Sequence, residues 1–127
     1  MSPQPRAPFL FALGRIAFGA AVLAAPERVM ARWLGERNAR HGAVKDLGRG
    51  LAARDVALGI AALATLEDPV IGPRVQLGCA LADGADAVST LLERDSLPRA
   101  GMLATVAVAG GAAIAGVYFA KQLADEA

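Results

Sequence analysis

Apolar residues fill four long stretches of this chain, and short polar connections separate them. The stretches run from about 7 to 25, 44 to 66, 70 to 92 and 97 to 123. Each approaches or exceeds the roughly 20 residues that an α-helix needs to cross a hydrocarbon core of about 30 Å. Prolines lie at or near their ends, where a helix tolerates or requires them. The pattern therefore predicts an all-α fold, a bundle of four transmembrane helices.

The connections indicate how these helices are arranged. "EDPVIGP" and "ERDSLP" are short, so we expect the last three long helices to run antiparallel as neighbours in a bundle. At 127 residues the chain is predicted to form a single domain, residues 1–127.

The first connection, "PERVMARWLGERNARHG", has a different pattern. It predicts a short amphipathic helix over about 26–37, because apolar residues recur in it at helical spacing. Such a helix suits the headgroup level of a membrane, with the ring of Trp33 buried and the guanidinium groups of Arg28 and Arg32 pointing outward. A helix that caps the bundle is the alternative, and the sequence leaves both open.

Composition favours the membrane setting. Hydrophobic residues make up 55% of the chain, and the mean hydropathy is +0.43. A soluble, alanine-rich helical bundle is the alternative, since 20% of the residues are charged. The net charge of +1 provides no field for nucleic acid, which is not an expected partner. One cysteine and one histidine predict neither a disulfide within the chain nor a metal site.

Basic residues are unevenly distributed between the two predicted sides. The first and third connections hold most of them, and the positive-inside tendency places these connections in the cytoplasm with both termini outside. A flipped or dual topology is the alternative. The start of the chain resembles a signal peptide, but Arg15 interrupts its apolar segment and Pro26 follows the small residues where cleavage is expected. We therefore interpret it as a retained first helix.

Five charged residues lie near the middle of the predicted membrane helices. The first helix carries Arg15, the second Arg54 and Asp55, and the third Asp83 and Asp86. A charge at the centre of a membrane helix costs about 2.5–3.5 kcal/mol on insertion scales, so we expect these side chains to face one another rather than lipid. They are the candidate functional residues.

A polar stripe on the third long helix supports an interior position for its two aspartates. Gln76, Cys79, Asp83, Asp86 and Thr90 follow one another in steps of three and four, which puts them on one face of a helix. Two arginines oppose three aspartates in the set of five charges, so one carboxylate is expected to take a proton, and the two aspartates of the stripe are the natural pair to share it.

Small residues in the last helix predict a close approach between helices. Ala107, Gly111 and Ala115 are four apart, and Gly14 and Gly59 fit the same kind of packing in earlier helices. Packing inside the bundle is favoured, and the seam of a dimer is the alternative.

Familiar catalytic apparatus is not recognisable in the sequence. It contains no Gly-rich phosphate loop, H-E-x-x-H, C-x-x-C or G-x-S-x-G motif, and His41 lies in a polar connection away from the carboxylates. We expect no enzymatic activity and no cofactor.

The segments "GRIAFG", "RDVALG" and "DGADA" together resemble small uncharacterised four-helix membrane proteins of bacteria, loosely like the DoxX group. This resemblance spans most of the chain. It implies a multi-pass protein of the bacterial cytoplasmic (inner) membrane, with lipid and a larger membrane complex or a second copy of itself as partners.

Two functions are compatible with these features. One is a structural or accessory membrane protein whose bundle is held by the Arg/Asp network. The other is a small proton- or cation-coupled transporter or channel that uses Asp83 and Asp86.

Overall fold

The computed structural model describes residues 6–125. These residues form six α-helices and one short 3₁₀-helix, with no β-strand among them, which confirms the all-α prediction. The helices are α1 (Arg6–Ala24), α2 (Pro26–Leu34), α3 (Glu36–Ala39), α4 (Gly42–Ala64), α5 (Ile71–Leu92) and α6 (Arg99–Asp125), and the 3₁₀-helix is Arg94–Ser96.

The four long helices are α1, α4, α5 and α6, and they occupy the four apolar stretches of the sequence. The single amphipathic helix expected over about 26–37 is instead two helices, because Gly35 breaks it. Gly35 has a φ of 87°, which side-chain-bearing residues rarely adopt. The chain turns there between α2 and α3.

The long helices pack most closely as two antiparallel pairs, α1 with α4 and α5 with α6. Glycines make both contacts tight. A Cβ on Gly19 would lie 2.7 Å from the carbonyl oxygen of Ala52, and one on Gly59 would lie 2.6 Å from Cγ1 of Ile16. Between α5 and α6, a Cβ on Gly116 would lie 3.0 Å from that of Ala80. Backbone approach of this kind is how helices pack without large side chains.

The small residues expected to pack inside the bundle from α6 are only partly those observed. Ala107 and Gly111 are exposed, and nothing lies within 4 Å of a Cβ built on Gly111. That part of the prediction is wrong, because the face of α6 that meets α5 is the one carrying Gly116. Gly14 likewise has open space beside it.

Helix α2 lies across one end of the bundle and contacts α1, α4 and α6. The side chain of Met30 approaches Gly48 of α4, where an added Cβ would lie 3.2 Å from Cγ of Met30. Against α6, a Cβ on Gly101 would lie 2.5 Å from the carbonyl oxygens of Arg32 and Trp33. Nearer the far ends of α1 and α6, the rings of Phe11 and Phe119 pack edge to face with centroids 5.5 Å apart.

The long helices bury several charged and polar side chains and expose many large apolar ones. The buried residues include Asp55, Gln76, Asp83 and Thr90, together with many alanines and glycines. Large apolar residues point outward instead, among them Leu81 at 76% and Ile114 at 74% exposed. By length and composition, two of the described helices, α1 and α6, are long and apolar enough to cross a membrane.

Candidate functional site: a charged floor under an apolar groove

Arg15 of α1 connects three helices through two ion pairs. Its Nη1 donates to Oδ1 of Asp55 on α4 at 3.0 Å, and its Nη2 donates to Oδ2 of Asp83 on α5. All three side chains are at most a tenth exposed. Burial strengthens these contacts and also makes each charge dependent on its partner.

Arg54 of α4 completes the cluster on its more open side. It forms a two-pronged contact with Asp86 of α5, in which Nη2 donates to Oδ2 at 2.6 Å and Nη1 to Oδ1 at 3.1 Å. The same Nη2 lies 3.3 Å from Oδ1 of Asp55. Asp55 therefore accepts from both arginines through one oxygen, and it is the centre of the network.

The structure brings together all five charged residues that the sequence singled out, at the middle of the bundle. It does not join Asp83 and Asp86 to each other: each contacts a different arginine, and no hydrogen bond links the two. The shared proton expected for this pair therefore has no geometric support.

The rest of the predicted polar stripe is buried on the inner face of α5. Gln76 is 3%, Cys79 3% and Thr90 2% exposed. Thr90 donates its hydroxyl proton to the carbonyl oxygen of Asp86 at 2.7 Å, within its own helix. The Cys79 Sγ lies 3.9 Å from the carbonyl oxygen of Leu58 on α4. These residues pack α5 against its neighbours, and the ion pairs are formed by the two aspartates.

Two oxygens of the network accept no hydrogen bond from any other group in residues 6–125. They are Oδ2 of Asp55 and Oδ1 of Asp83. Within residues 6–125, the buried side-chain atoms that lack a hydrogen-bond partner are Nε1 of Trp33 and Nε of Arg54. The two oxygens do not belong to this set, so they are not fully buried. The network thus keeps two acceptor atoms with access to space outside it.

That space is a groove of about 520 Å³ between α1 and α6, with α2 at one end. Its floor carries Arg15, Asp55, Asp83 and Asp86. Its walls are mostly apolar, formed by Leu10, Phe11, Gly14, Phe18, Val29, Met30, Trp33, Leu51, Val108 and small residues on α6 that include Ala104, Ala109 and Ala112. Arg32 and Thr105 are the polar residues of the walls. No pattern in the sequence predicts this groove, because it depends on how far α1 and α6 are separated.

A second cavity, of about 900 Å³, lies at the end of the bundle that holds α2 and α3. It is polar, and five of its lining residues are basic: Arg28, Arg32, Arg40, Lys45 and Arg49. Glu27 lies 3.6 Å from Lys45 and 3.9 Å from Arg40, but the cations outnumber the acids. Arg28 and Arg32, two of the residues expected at a headgroup level, are exposed here.

Trp33, the third residue expected at that level, is partly buried and packs with α2 against the end of the bundle. It is the only tryptophan in the chain and lines the apolar groove. The amphipathic segment therefore caps the bundle. Its outer side is the arginine-rich one, so the capping position and a headgroup-level position are compatible.

The part of the chain that the structure describes holds no group of three or more His, Cys, Asp or Glu side chains arranged to bind a metal ion. No family model, curated protein or solved structure matches the sequence.

Proposed function

We propose that this chain is a small integral membrane protein of structural or accessory type, in which α1, α4, α5 and α6 all cross the bilayer. The observation that carries the proposal is the inverted polarity. Charges and small residues lie inside, while Leu81, Val108 and Ile114 are between 73% and 76% exposed. In water, this arrangement would bury charged side chains at a cost in free energy and leave large apolar side chains exposed to solvent. In lipid, the charged side chains are better placed inside the bundle and the apolar ones against the acyl chains.

Helices α4 and α5 meet the same physical requirement despite their charges. Arg54, Asp55, Asp83 and Asp86 lower the mean hydropathy of these two helices, but all four are turned toward one another. Toward the middle of both helices the exposed positions carry no charge, with Ile60 55% and Val88 57% exposed. The exposed charges Asp46, Arg49 and Arg74 lie nearer the helix starts. At 1.5 Å per residue, the 22 residues of α5 extend about 33 Å, enough for a hydrocarbon core of about 30 Å.

The end of the bundle that carries α2 and α3 is the basic end, so the proposal places it at the cytoplasmic face of a bacterial inner membrane. There, Arg28 and Arg32 lie at the depth of lipid headgroups, and anionic lipids would be attracted to the basic cavity.

The network supports a structural role because every one of its carboxylates is already paired with an arginine. Arg15 and Arg54 together fasten α1, α4 and α5 in one register. Buried polar groups of this kind select one packing arrangement over others, at some cost in stability. An accessory subunit needs such a fixed shape in order to present a constant outer surface to a larger membrane complex.

A proton- or cation-coupled transporter or channel is the second candidate. The observation in its favour is that Asp83 and Asp86 both line the groove and so are reachable from outside the bundle. It predicts that asparagine at either position abolishes flux in liposomes while the protein still folds.

Sodium carbonate extraction of native membranes tests the proposed setting. A bilayer-spanning protein stays in the pellet, and release into the supernatant would indicate the soluble bundle instead. Purification in mild detergent with mass determination then tests the role. Stoichiometric recovery of larger membrane proteins supports an accessory subunit, whereas a solitary monomer or homodimer shifts the weight to the transport candidate.

A further inference from the structure

The groove between α1 and α6 combines mostly apolar walls with an ionic floor. Its volume of about 520 Å³ falls within the range of small-molecule sites. Such sites bind most of a ligand through apolar contact and orient it with a few polar groups. Here the polar groups are concentrated at one place, which indicates a ligand with one polar end.

The charges on the floor define what that end must be. Two arginines face three aspartates, so with all five ionised the cluster has a net charge of −1. Arg15 and Arg54 keep some free N–H groups, because each terminal nitrogen of a guanidinium carries two. A bound anion would nevertheless lie beside the three aspartates that hold these arginines. Among residues 6–125, the only other charged side chain that lines the groove is Arg32, which is exposed at the end that α2 covers. A cation would instead balance the surplus carboxylate.

Hydrogen bonding narrows the choice further. Oδ2 of Asp55 and Oδ1 of Asp83 are acceptors without a protein donor, and both residues line the groove. An ammonium group carries a positive charge and several N–H donors, so it matches both the surplus negative charge and the unpartnered acceptor oxygens. A quaternary ammonium would provide the charge but no donor.

We propose that this groove binds an amphiphilic primary amine, with its ammonium at Asp55 and Asp83 and its apolar body between α1 and α6. The groove opens sideways, and in the proposed membrane setting its mouth faces the acyl chains. The ligand therefore enters from the lipid phase. This route of entry rests on the proposed function, whereas the binding geometry does not.

Small residues keep the groove open along both walls. Nothing lies within 4 Å of a Cβ built on Gly14 of α1, and the facing wall on α6 includes Ala109 and Ala112. A side chain at Gly14 would begin in open space and occupy part of the groove that this residue lines. This position can therefore be used to fill the groove while leaving the ion pairs in place.

Fluorescence of Trp33, the sole tryptophan and a groove residue, provides a direct readout. The protein is reconstituted into phosphatidylcholine vesicles and titrated with decylammonium, decanol or decanoate, which share a chain length and differ in the head. We expect a saturable change in emission with decylammonium, at a concentration at least about tenfold lower than for the other two, as hydrogen bonds to charged groups provide.

Two glycine variants distinguish binding in the groove from partition into lipid. Gly14→Leu fills the groove and should weaken the decylammonium response by about tenfold or more. Gly111→Leu adds the same side chain to an exposed position of α6 that also has open space, and it should leave the response unchanged. Circular dichroism of both variants checks that the helices are intact.

A third variant tests the floor directly. Asp83→Asn removes one charge and should abolish the preference for decylammonium over decanol; if this variant does not fold, the glycine pair still decides. Equal responses to the three probes, or equal responses in the two leucine variants, would overturn the proposal. Either result would leave carbonate extraction, the test of the membrane setting, unaffected.

Discussion

Arg15 and Asp55 are 40 residues apart in the sequence, yet they form an ion pair of 3.0 Å with side chains only 7% and 8% exposed. The pair joins α1 to α4 at the floor of the groove. Replacing both partners of a buried ion pair with apolar residues often changes stability little, but removing one partner destabilises the protein strongly because the other charge stays buried.

Asp55→Ala is therefore expected to be the most destabilising of the carboxylate substitutions. It leaves Arg15 with one partner and removes the acceptor shared with Arg54, for a loss of about 3–5 kcal/mol in the free energy of unfolding. Helical circular dichroism in detergent with increasing dodecyl sulfate measures it. Asp46→Ala, an exposed aspartate on the same helix, is the control. Equal effects of the two substitutions would contradict a structural role for the network.

The Arg54 and Asp86 pair should show measurable coupling of moderate size. Its geometry is two-pronged, but Arg54 is 33% and Asp86 20% exposed, so solvent screens part of the interaction. A double-mutant cycle with Arg54→Met and Asp86→Ala is expected to give a coupling energy of about 1 kcal/mol. Additive single effects would show that the contact contributes nothing beyond its two separate side chains.

The effect of a glycine-to-alanine substitution on stability should depend on how close the neighbouring helix is at that position, more than on helix propensity. Gly19→Ala places a methyl group 2.7 Å from the Ala52 carbonyl oxygen, so α1 and α4 must move apart, at a cost of about 1–3 kcal/mol. Gly111→Ala meets no neighbour and should not lower stability, since alanine favours helix. Unfolding of the two variants side by side decides whether α1 and α4 are as close as described.

Acid should weaken the connection between α4 and α5 through Asp68. Hydrogen bonds from the backbone N–H groups of Ile71 and Val70 lower the pKa of this carboxyl below its ordinary value of 3.8. Because the folded-state pKa is the lower one, the stabilisation is present above 3.8 and is lost as pH falls through the folded-state value.

Melting temperature measured between pH 7 and pH 2.5 provides the test. Asp68→Asn keeps an acceptor oxygen but cannot titrate, so the difference between wild type and this variant should shrink at the acid end. Asp95→Asn, an exposed aspartate with no backbone hydrogen bond, should follow the wild type throughout. A constant difference in melting temperature between wild type and Asp68→Asn at every pH would show that the stabilisation by Asp68 does not depend on the charge of its carboxyl group.

Much of the site could be predicted because charged residues within long apolar helices are stable only where they can pair with other polar groups. The common depth of Arg15, Arg54 and Asp83 was sufficient to predict that they meet. The spacing of three and four along α5 was sufficient to choose its inner face. These inferences depend only on the cost of exposing charge to an apolar surrounding and on the period of a helix.

Other features depend on distances between helices, which a single sequence does not reveal. Gly111 and Gly116 are both glycines among small residues of α6, yet only Gly116 meets another helix. The partner of each aspartate was likewise unpredictable, since Asp83 and Asp86 lie on the same face of α5 and the sequence does not show which arginine is closer to each. The groove exists because α1 and α6 are each packed more tightly on another helix than on each other.

The separation of the ionic partners along the chain has a consequence for biosynthesis. Arg15 leaves the ribosome 40 residues ahead of Asp55 and 68 ahead of Asp83. In the proposed membrane setting, the first segment must therefore enter the insertion channel with its guanidinium uncompensated, and neither later acidic segment is apolar enough to leave that channel alone. Release into lipid then becomes a concerted step, in which the nascent segments wait beside the translocon until opposite charges have arrived.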